Sequence, residues 1–581
     1  MNYPTKIDTD GKKAGLGYGL PPVPHRESAD ITVVPFKGRY YLDGSFSANA
    51  GTFGYWHSDD LVEWNHISGK GLDVMHAGAA DFCQIGDYLY QTASSYEKST
   101  IHRTADPMSK KFELVKESFG FWDPCLFEDE DGRVYLYWGC SNVTPIWGIE
   151  LDKETFETIG EPVVLIEEKS DHHGFERNGW NNDRSVGFLR AGETDAPGLI
   201  NPAPWIEGAY MTKHDGKYYL QYAGPGTEHP IYCDAYYVSD NPLGPYEFAE
   251  TSPFSCIYGG FYTGAGHGST FEDYNGNFWH ATSMVGATGG VSSRKMGIFP
   301  LGFDKDGIMY CDQNYADYPH FMPSEKVDPN DTFTGWMLLS YNKKVTASSE
   351  IAANPACNVA DECCRTYWAA SNRKPGEWIQ MDLGKAMDVR AVQLNLVDHD
   401  LQGLFAIPYN AFTVLPKEQQ LVRHRWLMEG SVDGENWEIL CDKREADSDM
   451  THDLIVFEEG VNVRYIKVTS VETPFFNNFA MSGLRVFGHA GQEAPAKAVN
   501  VVADRNKDDQ CCVHITWDKA EGADGYNVKW GIAADKLYHS TLVYGANELQ
   551  LNALNDGVPY FVQVDAFNGS GITEGDVLAA E

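Results

Sequence analysis

Runs of apolar and aromatic residues separated by polar turns recur five times in the first part of the chain. Each repeat begins with glycine: GRYYLDGSF from Gly38, GDYLYQTAS from Gly86, GRVYLYWGC from Gly132, GKYYLQYAG from Gly216 and GNFWHATSM from Gly276. A β-prone run and a polar turn precede each glycine, which is the pattern of a β-hairpin with positive φ at its turn. Sheets of about four strands that recur every 40–50 residues or so are typical of propeller blades. The pattern therefore predicts five blades.

Beyond about residue 320 the pattern changes to two sandwich-sized β modules. The segments GEWIQMDLG, HRWLMEGSVDGENWEIL and VRYIKVTS mark the first module, and VHITWDKAEGADGYNVKW and PYFVQVDAFNGSG mark the second. Alternating strands with a buried Trp and an Asp-Gly turn are typical of β-sandwiches. We predict an all-β chain with domains at residues 1–325, 326–490 and 491–581.

The composition narrows the range of partners. The chain has 45 Lys and Arg against 83 Asp and Glu, a formal net charge of −38. Such an acidic surface repels phosphate backbones and anionic lipid, so we expect no nucleic-acid or membrane partner. The sequence has no run of about 18 apolar residues, so we also expect no membrane span. The start of the chain has no apolar signal-peptide core, which favours a cytoplasmic location, or a secreted or surface one if a leader was removed. The twelve cysteines have no metal-ligand spacing, and we expect free thiols.

Three acidic residues stand at similar positions before the hairpin glycines. Asp30 in ESADITVVPF, Asp123 in GFWDPCLFED and Glu207 in APWIEGAYMTK precede their glycines by eight or nine residues. Because the innermost strands of a propeller meet at its axis, we expect these carboxyl groups to face one cavity. Carboxylates that converge in a dry pocket repel one another, so at least one stays protonated near neutral pH. A protonated acid beside an ionised base is what glycoside hydrolysis requires.

The segments SADITVVPFKGRYYLDGS, DPCLFEDEDGRVYLYWG and EGAYMTKHDGKYYLQYA resemble those of glycoside hydrolase family 43, and the resemblance covers about residues 18–320. That family has a five-bladed propeller and inverts the anomeric configuration with three acidic residues. The resemblance implies that Asp30 is the general base, that Asp123 tunes the pKa of the acid and orients the substrate, and that Glu207 is the general acid.

The same resemblance implies further site residues. Arg294 is similar to an arginine that contacts the acid or the sugar, and Trp122, next to Asp123, is a further substrate contact. Blade two has HAGAADFCQ where many members have a Trp-Ala-Pro-Asp element, so His76 and Asp81 would form the pocket wall there. His267, in GHGS, matches an axial histidine that implies a structural calcium ion near the propeller axis. An exposed arginine and a core histidine remain the alternatives.

The C-terminal modules have resemblances of their own. Residues 338–489 are similar to a discoidin (factor 5/8 type C) module, in which Trp368, Trp378 and Trp437 would pack in the core. Residues 493–581 resemble a fibronectin type III domain, which we interpret as a spacer. The insertion at residues 168–204, just before Glu207, is expected to overhang the pocket.

These resemblances imply an inverting exo-glycosidase. The terminal sugars most often removed in the family are α-L-arabinofuranosyl and β-D-xylosyl, from plant-type polysaccharides or oligosaccharides. Three alternatives remain open: cleavage of galactofuranosyl or galactosyl residues, a non-catalytic glycan-binding protein, and a metal-dependent hydrolase using His76, Asp81 and His267.

Overall fold

The computed structural model describes residues 28–46, 54–68, 71–72, 74, 78–142, 145–184, 204–227, 229–285, 294–397, 399, 424–446 and 451–581. Secondary structure in these ranges consists of β-strands and short 3-10 turns, and no α-helix occurs there. The turns are Pro107–Ser109, Gly174–Glu176, Pro329–Asp331, Ala356–Ala360 and Pro474–Phe476. No helix in the described ranges is long and apolar enough to cross a membrane.

The N-terminal half consists of five four-stranded antiparallel sheets, each built from consecutive strands. Blade one holds β1 (Ser28–Phe36), β2 (Arg39–Phe46), β3 (Gly54–Ser58) and β4 (Trp64–Ser68). Blade two holds β5 (Asp81–Ile85), β6 (Tyr88–Thr92), β7 (Thr100–Thr104) and β8 (Glu113–Glu117). Blade three holds β9 (Cys125–Glu128), β10 (Val134–Trp138), β11 (Ile146–Leu151) and β12 (Thr158–Ile166). Blade four holds β13 (Glu207–His214), β14 (Lys217–Gly224), β15 (Cys233–Ser239) and β16 (Glu247–Phe248). Blade five holds β17 (Thr263–Glu272), β18 (Phe278–Val285), β19 (Arg294–Phe303) and β20 (Met309–Cys311).

The five sheets close into a ring through their first strands. β1 contacts β5, β5 contacts β9, β9 contacts β13, β13 contacts β17, and β17 returns to β1. The predicted turn glycines separate the first and second strands of every blade, at φ between +57° and +85°. They are Gly38, Gly86, Gly132, Gly216 and Gly276. The predicted five-bladed propeller is thereby confirmed.

The rest of the chain forms β-sandwich regions. An eight-stranded sheet contains β21 (Met337–Leu338), β22 (Lys344–Ala347), β23 (Trp368–Ala369), β24 (Trp378–Leu396), β25 (Arg425–Ser431), β26 (Glu438–Asp442), β27 (His452–Glu472) and β28 (Ala480–His489). Two smaller sheets follow, with β29 (Val499–Arg505), β30 (Val513–Asp518) and β33 (Glu548–Leu551) in one. The other contains β31 (Gly525–Gly531), β32 (His539–Tyr544), β34 (Phe561–Asn568), β35 (Gly571–Thr573) and β36 (Leu578–Ala579).

The tryptophans of the eight-stranded sheet do not all pack in its core. Trp368 is fully buried, as expected. Trp378 and Trp437 are only partly buried, so the expectation was wrong for these two. The ammonium group of Lys467 lies 4.2 Å from the ring centre of Trp437, which places that indole at the surface beneath a charged side chain.

The last two sheets, interpreted from the sequence as a spacer, pack against the propeller. The guanidinium group of Arg177 donates to both carboxylate oxygens of Asp509, at 2.7 and 2.9 Å. The backbone N–H of Gly174 donates to the carbonyl of Leu554 at 2.9 Å. One apolar core includes Tyr222 of blade four together with residues of β30, β31 and β34. The spacer interpretation was therefore wrong.

These contacts also change the interpretation of the insertion before Glu207. Its described part, residues 168–184, lies on the last two sheets, where the amide of Asn181 donates to the carbonyl of Gln550 at 2.9 Å. Residues 185–203 lie outside the described residues. The eight-stranded sheet is joined to the propeller by Arg485, which is fully buried, pairs with Glu362 at 2.7 Å and lies over the ring of Phe261.

Candidate active site

The backbone takes the same unusual conformation at the axial end of all five blades. In each blade one residue has a left-handed φ. It lies two residues before the point at which the first strand starts, or restarts after a bulge, its regular pairing with the second strand. These residues are Asp30, Ala79, Asp123, Gly208 and His267, with φ between +47° and +66°. Left-handed non-glycine residues are uncommon and cluster at functional sites. Glu207 directly precedes this position in its blade, so the register predicted from the sequence is off by one there.

The three acidic residues predicted from the sequence come together at the axis. His267 links two of them, because its Nδ1 lies 3.2 Å from Asp30 Oδ1 and 3.7 Å from Asp123 Oδ2. Carboxylate oxygens of Asp123 and Glu207 and the thiol sulfur of Cys140 lie within 4.8 Å of one another. Asp123 and Glu207 are more than nine-tenths buried, and the side chain of Asp30 is 12% exposed, so water screens the three carboxyl groups little.

Two cations face Asp30. Arg294, at the start of β19, donates from Nη1 to Asp30 Oδ1 at 2.8 Å, and His267 contacts the same oxygen. Burial alone would raise the pKa of Asp30, but the positive charges of Arg294 and His267 hold it well below its usual range. Asp30 is therefore ionised at neutral pH. Arg294 thus contacts a carboxylate at the axis, and its contact with the substrate stays a prediction.

Asp123 has a different environment. Ser94 Oγ accepts from its backbone N–H at 2.9 Å and lies 3.3 Å from Oδ1. Burial raises the pKa of Asp123 to about 7; His267 lowers it, while the carboxylates of Glu207 and Asp30 raise it further. Burial would lower the pKa of His267, but Asp30 and Asp123 raise it to about 10, so the imidazole carries a proton and a positive charge at neutral pH.

Glu207 is surrounded by neutral hydrogen-bond donors. The hydroxyl of Tyr232 donates to Glu207 Oε1, and the thiol of Cys140 donates to Oε2 at 3.2 Å. The indole N–H of Trp205 in turn donates to the sulfur of Cys140 at 3.2 Å. No sequence pattern indicated Cys140 or Tyr232, because both lie outside the inner strands of the blades.

A buried carboxylate fixes the backbone of His267. Asp234 accepts from the N–H groups of His267 and Gly268, at 2.8 and 3.1 Å, and contacts His280 Nε2 at 2.9 Å. On its other side the imidazole lies against Gly208, where an added Cβ would come within 2.8 Å of the ring. Close packing thus determines where the imidazole lies between the two aspartates.

The other predicted substrate contacts have mixed outcomes. Asp81 is 2% exposed, and its carboxylate accepts from Thr32 Oγ1 at 3.3 Å and from the N–H of Leu126 at 2.9 Å. Because it joins blades one, two and three below the surface, it is not a pocket-wall residue, and the sequence prediction is corrected. Trp122 is half-buried beside Asp123, with its ring centre 4.5 Å from that of Tyr96. His76 lies outside the described residues.

Comparison with known proteins identifies the family of the propeller. The family model for Glycosyl hydrolases family 43 matches residues 20–309, which span all but the last strand of the propeller. The propeller belongs to glycosyl hydrolase family 43. A β-xylosidase of Xylanibacter ruminicola is 25% identical over 253 residues, which is 42% of this chain and 63% of that protein. The matched part thus spans less than two thirds of this curated relative.

Solved structures of family 43 proteins and other glycoside hydrolases are also similar. A glycoside hydrolase aligns with a TM-score of 0.41 and 17% identity, covering 81% of this chain and 99% of its own. The family 43 protein BlXynB of Bacillus licheniformis aligns with a TM-score of 0.38 and 15% identity, covering 97% and 91%. An exo-1,5-alpha-L-arabinanase from a bovine ruminal metagenomic library has a TM-score of 0.35 and 22% identity, covering 50% and 98%.

The donor groups around His267 in this family 43 propeller do not form a calcium cage. Calcium takes six to eight oxygen ligands. The carboxylates nearest to His267, those of Asp30 and Asp123, already face its Nδ1. Among the described residues the one cluster with metal-ligand spacing is Asp123, Cys140 and Glu207, which includes a thiol and excludes His267. Calcium at the axis stays a prediction, and no step below uses it.

Proposed function

We propose that this protein is an inverting exo-glycosidase that removes terminal α-L-arabinofuranosyl or β-D-xylosyl groups from plant-type polysaccharides or oligosaccharides. The observation that carries the proposal is the contrast between two converging carboxyl groups. Asp30 faces the two cations Arg294 and His267, whereas Glu207 faces the neutral donors Tyr232 and Cys140. Carboxyl groups in environments of such different charge are suited to the roles of base and acid.

In the proposed reaction Asp30 accepts a proton from a water molecule, whose oxygen attacks the anomeric carbon. Glu207 donates its proton to the glycosidic oxygen as the bond to the leaving group breaks. A single displacement inverts the anomeric configuration, and the two carboxyl groups end with the opposite protonation states. Asp123, between His267 and Glu207, is the third carboxyl group of the site and in this proposal orients the substrate between base and acid.

One curated relative bears on the identity of the sugar. The curated relative is a β-xylosidase, which supports β-D-xylosyl as one of the two sugars. Arabinofuranose and xylopyranose present similar arrangements of hydroxyl groups, so both belong in the first assay. For the C-terminal regions we propose a discoidin-like module at residues 326–490 and a fibronectin type III-like module at residues 491–581.

The experiment is hydrolysis of a panel of nitrophenyl glycosides by the wild type and Glu207→Ala. The panel contains α-L-arabinofuranoside, β-D-xyloside, β-D-galactofuranoside and β-D-galactopyranoside. We expect the wild type to release nitrophenol from one of the first two glycosides and Glu207→Ala to lose hydrolysis of a natural oligosaccharide. NMR should show that the released sugar has the inverted anomeric configuration. Glu272→Ala, which removes an exposed carboxylate of β17, is the matched control. Retention of configuration, or full activity of Glu207→Ala on the oligosaccharide, would contradict the proposal.

A silent panel has a separate interpretation. Binding of glycans without turnover, measured on an array of plant oligosaccharides, would favour a non-catalytic glycan-binding protein. Release of galactose or galactofuranose would place the chain among family members with that specificity.

A further inference from the structure

Cys140 lies beside the carboxyl groups of Asp123 and Glu207, on the acid side of the site. It lies in the loop after β10, outside the inner strands, and is partly buried. Its thiol donates to Glu207 Oε2 at 3.2 Å, and its sulfur accepts the indole N–H of Trp205 at 3.2 Å. We propose that Cys140 is a positioning residue that, together with Tyr232, makes Oε2 the oxygen from which Glu207 delivers its proton. This inference rests on the proposed function.

Oε1 of Glu207 already accepts a hydrogen bond from Tyr232. The hydroxyl of Tyr232 is fully buried and donates to this oxygen. Burial raises the pKa of Tyr232 well above its ordinary value, as does the negative charge of Glu207. The phenol therefore keeps its proton and always acts as the donor. An oxygen that already accepts this hydrogen bond is poorly placed to carry the transferable proton, which leaves Oε2.

Oε2 of Glu207 has the thiol of Cys140 as its donor. Burial, together with the charges of Asp123 and Glu207, raises the pKa of Cys140 well above its ordinary value, so it is present as S–H. The N–H of Trp205 occupies one side of the sulfur, and the S–H faces the acid side of the site, where Glu207 Oε2 accepts it at 3.2 Å and the carboxyl group of Asp123 is a second hydrogen-bond partner. A thiol is both a weak donor and a weak acceptor. It competes little for the proton of Glu207 before transfer and still donates to Oε2 once the carboxylate has formed.

A hydroxyl in the same place would be a stronger partner for Oε2. Serine would bind both protonation states more firmly, whereas alanine would leave Oε2 without its donor after proton transfer. Both substitutions remove nearly the same volume. A role in packing alone therefore predicts equal losses for Cys140→Ser and Cys140→Ala, whereas hydrogen bonding to Glu207 predicts that Cys140→Ser retains more activity.

The kinetic test compares leaving groups. Substrates with poor leaving groups need the proton of the acid, and dinitrophenyl glycosides need it little. For Cys140→Ala we expect kcat/KM on a xylose or arabinose disaccharide to fall about fivefold, the effect of one neutral hydrogen bond, and kcat/KM on the dinitrophenyl glycoside to change by less than about twofold. Cys140→Ser should restore part of the loss. The matched control is Cys125→Ala, which removes a buried thiol of β9 whose hydrogen bond goes to the carbonyl of Leu126.

Equal losses on both substrates, or equal losses for the serine and alanine variants, would overturn the proposal. A second readout needs no turnover: the indole N–H resonance of Trp205, assigned with Trp205→Phe, should shift in Cys140→Ala and in Glu207→Gln but not in Cys125→Ala. An unmoved resonance in Cys140→Ala would also overturn it. A wild type that hydrolyses no glycoside would contradict the proposed function instead, and the indole resonance would then decide the Cys140 contact.

Discussion

Replacing Arg294 by methionine tests whether positive charge keeps Asp30 ionised. The guanidinium Nη1 lies 2.8 Å from Asp30 Oδ1, and the two side chains are only 10% and 12% exposed. Solvent therefore screens the pair little. Methionine keeps much of the length of arginine without its charge, and His267 remains as the second cation beside Asp30.

The expected effect is a shift of the acid side of the pH profile. One adjacent opposite charge lowers the pKa of a carboxyl group by about 1–3 units, so its removal should raise the acid limb of kcat/KM by about 1–3 pH units. That shift corresponds to about 1.4–4 kcal/mol of differential interaction with the ionised form. The sign follows because a base is inactive when protonated: Arg294→Met loses activity first at low pH and retains most at high pH.

The assay is kcat/KM on the best nitrophenyl glycoside from about pH 3 to about pH 8, since this parameter reports ionisations of the free enzyme. The wild type should show no acid limb from Asp30 in this range, whereas Arg294→Met should show activity falling toward its lower end. Arg294→Lys keeps the charge and should keep the acid limb near its wild-type position. Arg133→Met is the control for loss of a charge, because Arg133 pairs with Asp131 at the surface of blade three. A loss that is uniform across pH would refute the reasoning and mean that Arg294 acts on the sugar instead.

Three further predictions concern stability and packing. Burial raises the pKa of Asp81 to about 8, so the folded state keeps the proton while the unfolded chain loses it. The free energy of unfolding therefore falls as pH rises from the pKa of the unfolded chain to about 8. In urea unfolding, Asp81→Asn should show a flatter pH dependence than the wild type, by up to about 1.4 kcal/mol per pH unit. Arg177→Leu breaks the pair with half-exposed Asp509 and should lower the free energy of unfolding by about 1–2 kcal/mol in thermal or denaturant melts, and unchanged melts would contradict the docking. Gly208→Ala places a Cβ 2.8 Å from the ring of His267 and strains φ +66°, so kcat/KM should fall at least about tenfold; wild-type rates would contradict this packing.

The propeller could be predicted from the sequence because its signals are local. A turn glycine such as Gly132 and the aromatic run after it specify a hairpin within about ten residues, and five such hairpins specify the blades. The order of the strands in each sheet then follows the order along the chain. No long-range pairing had to be inferred.

The site was predictable only in part, for the same reason. Asp30 and Asp123 share a register with their hairpins and Glu207 lies one residue from it, so repetition revealed all three. Cys140 and Tyr232 reach Glu207 from 67 and 25 residues away along the chain. Cys140 ends the repeat that begins at Gly132, but no other repeat has a cysteine there, and Tyr232 lies outside the repeats. The one local signal was Trp205, two residues before Glu207, which the search for carboxylates passed over.

The interpretation of residues 491–581 as a spacer failed because a docked sandwich and a free one have the same core pattern. The contacts that dock this one are polar: Arg177 with Asp509, Asn181 with the backbone of Gln550, and a backbone bond to Leu554. Polar residues at a sandwich surface are ordinary in both cases. A docked sandwich differs from a free one only in having partner residues, here in the insertion of the propeller at residues 168–184, and those partners are far away along the chain.

Charge explains why equivalent positions in the blades can take different chemical roles. The repeat places carboxyl groups from several blades at one axis, where groups in identical surroundings would have similar pKa values. Blade five breaks this equivalence, because both cations of the site, His267 and Arg294, come from its strands β17 and β19 and both contact Asp30. Blades three and four place neutral groups, Cys140 and Tyr232, around Glu207. Asp123 lies between the two environments; burial raises its pKa to about 7, while His267 lowers it and Glu207 and Asp30 raise it. The acid and the base are thus distinguished by which blades neighbour them, and exchanging the neighbours' charges should matter more than exchanging the carboxyl groups themselves.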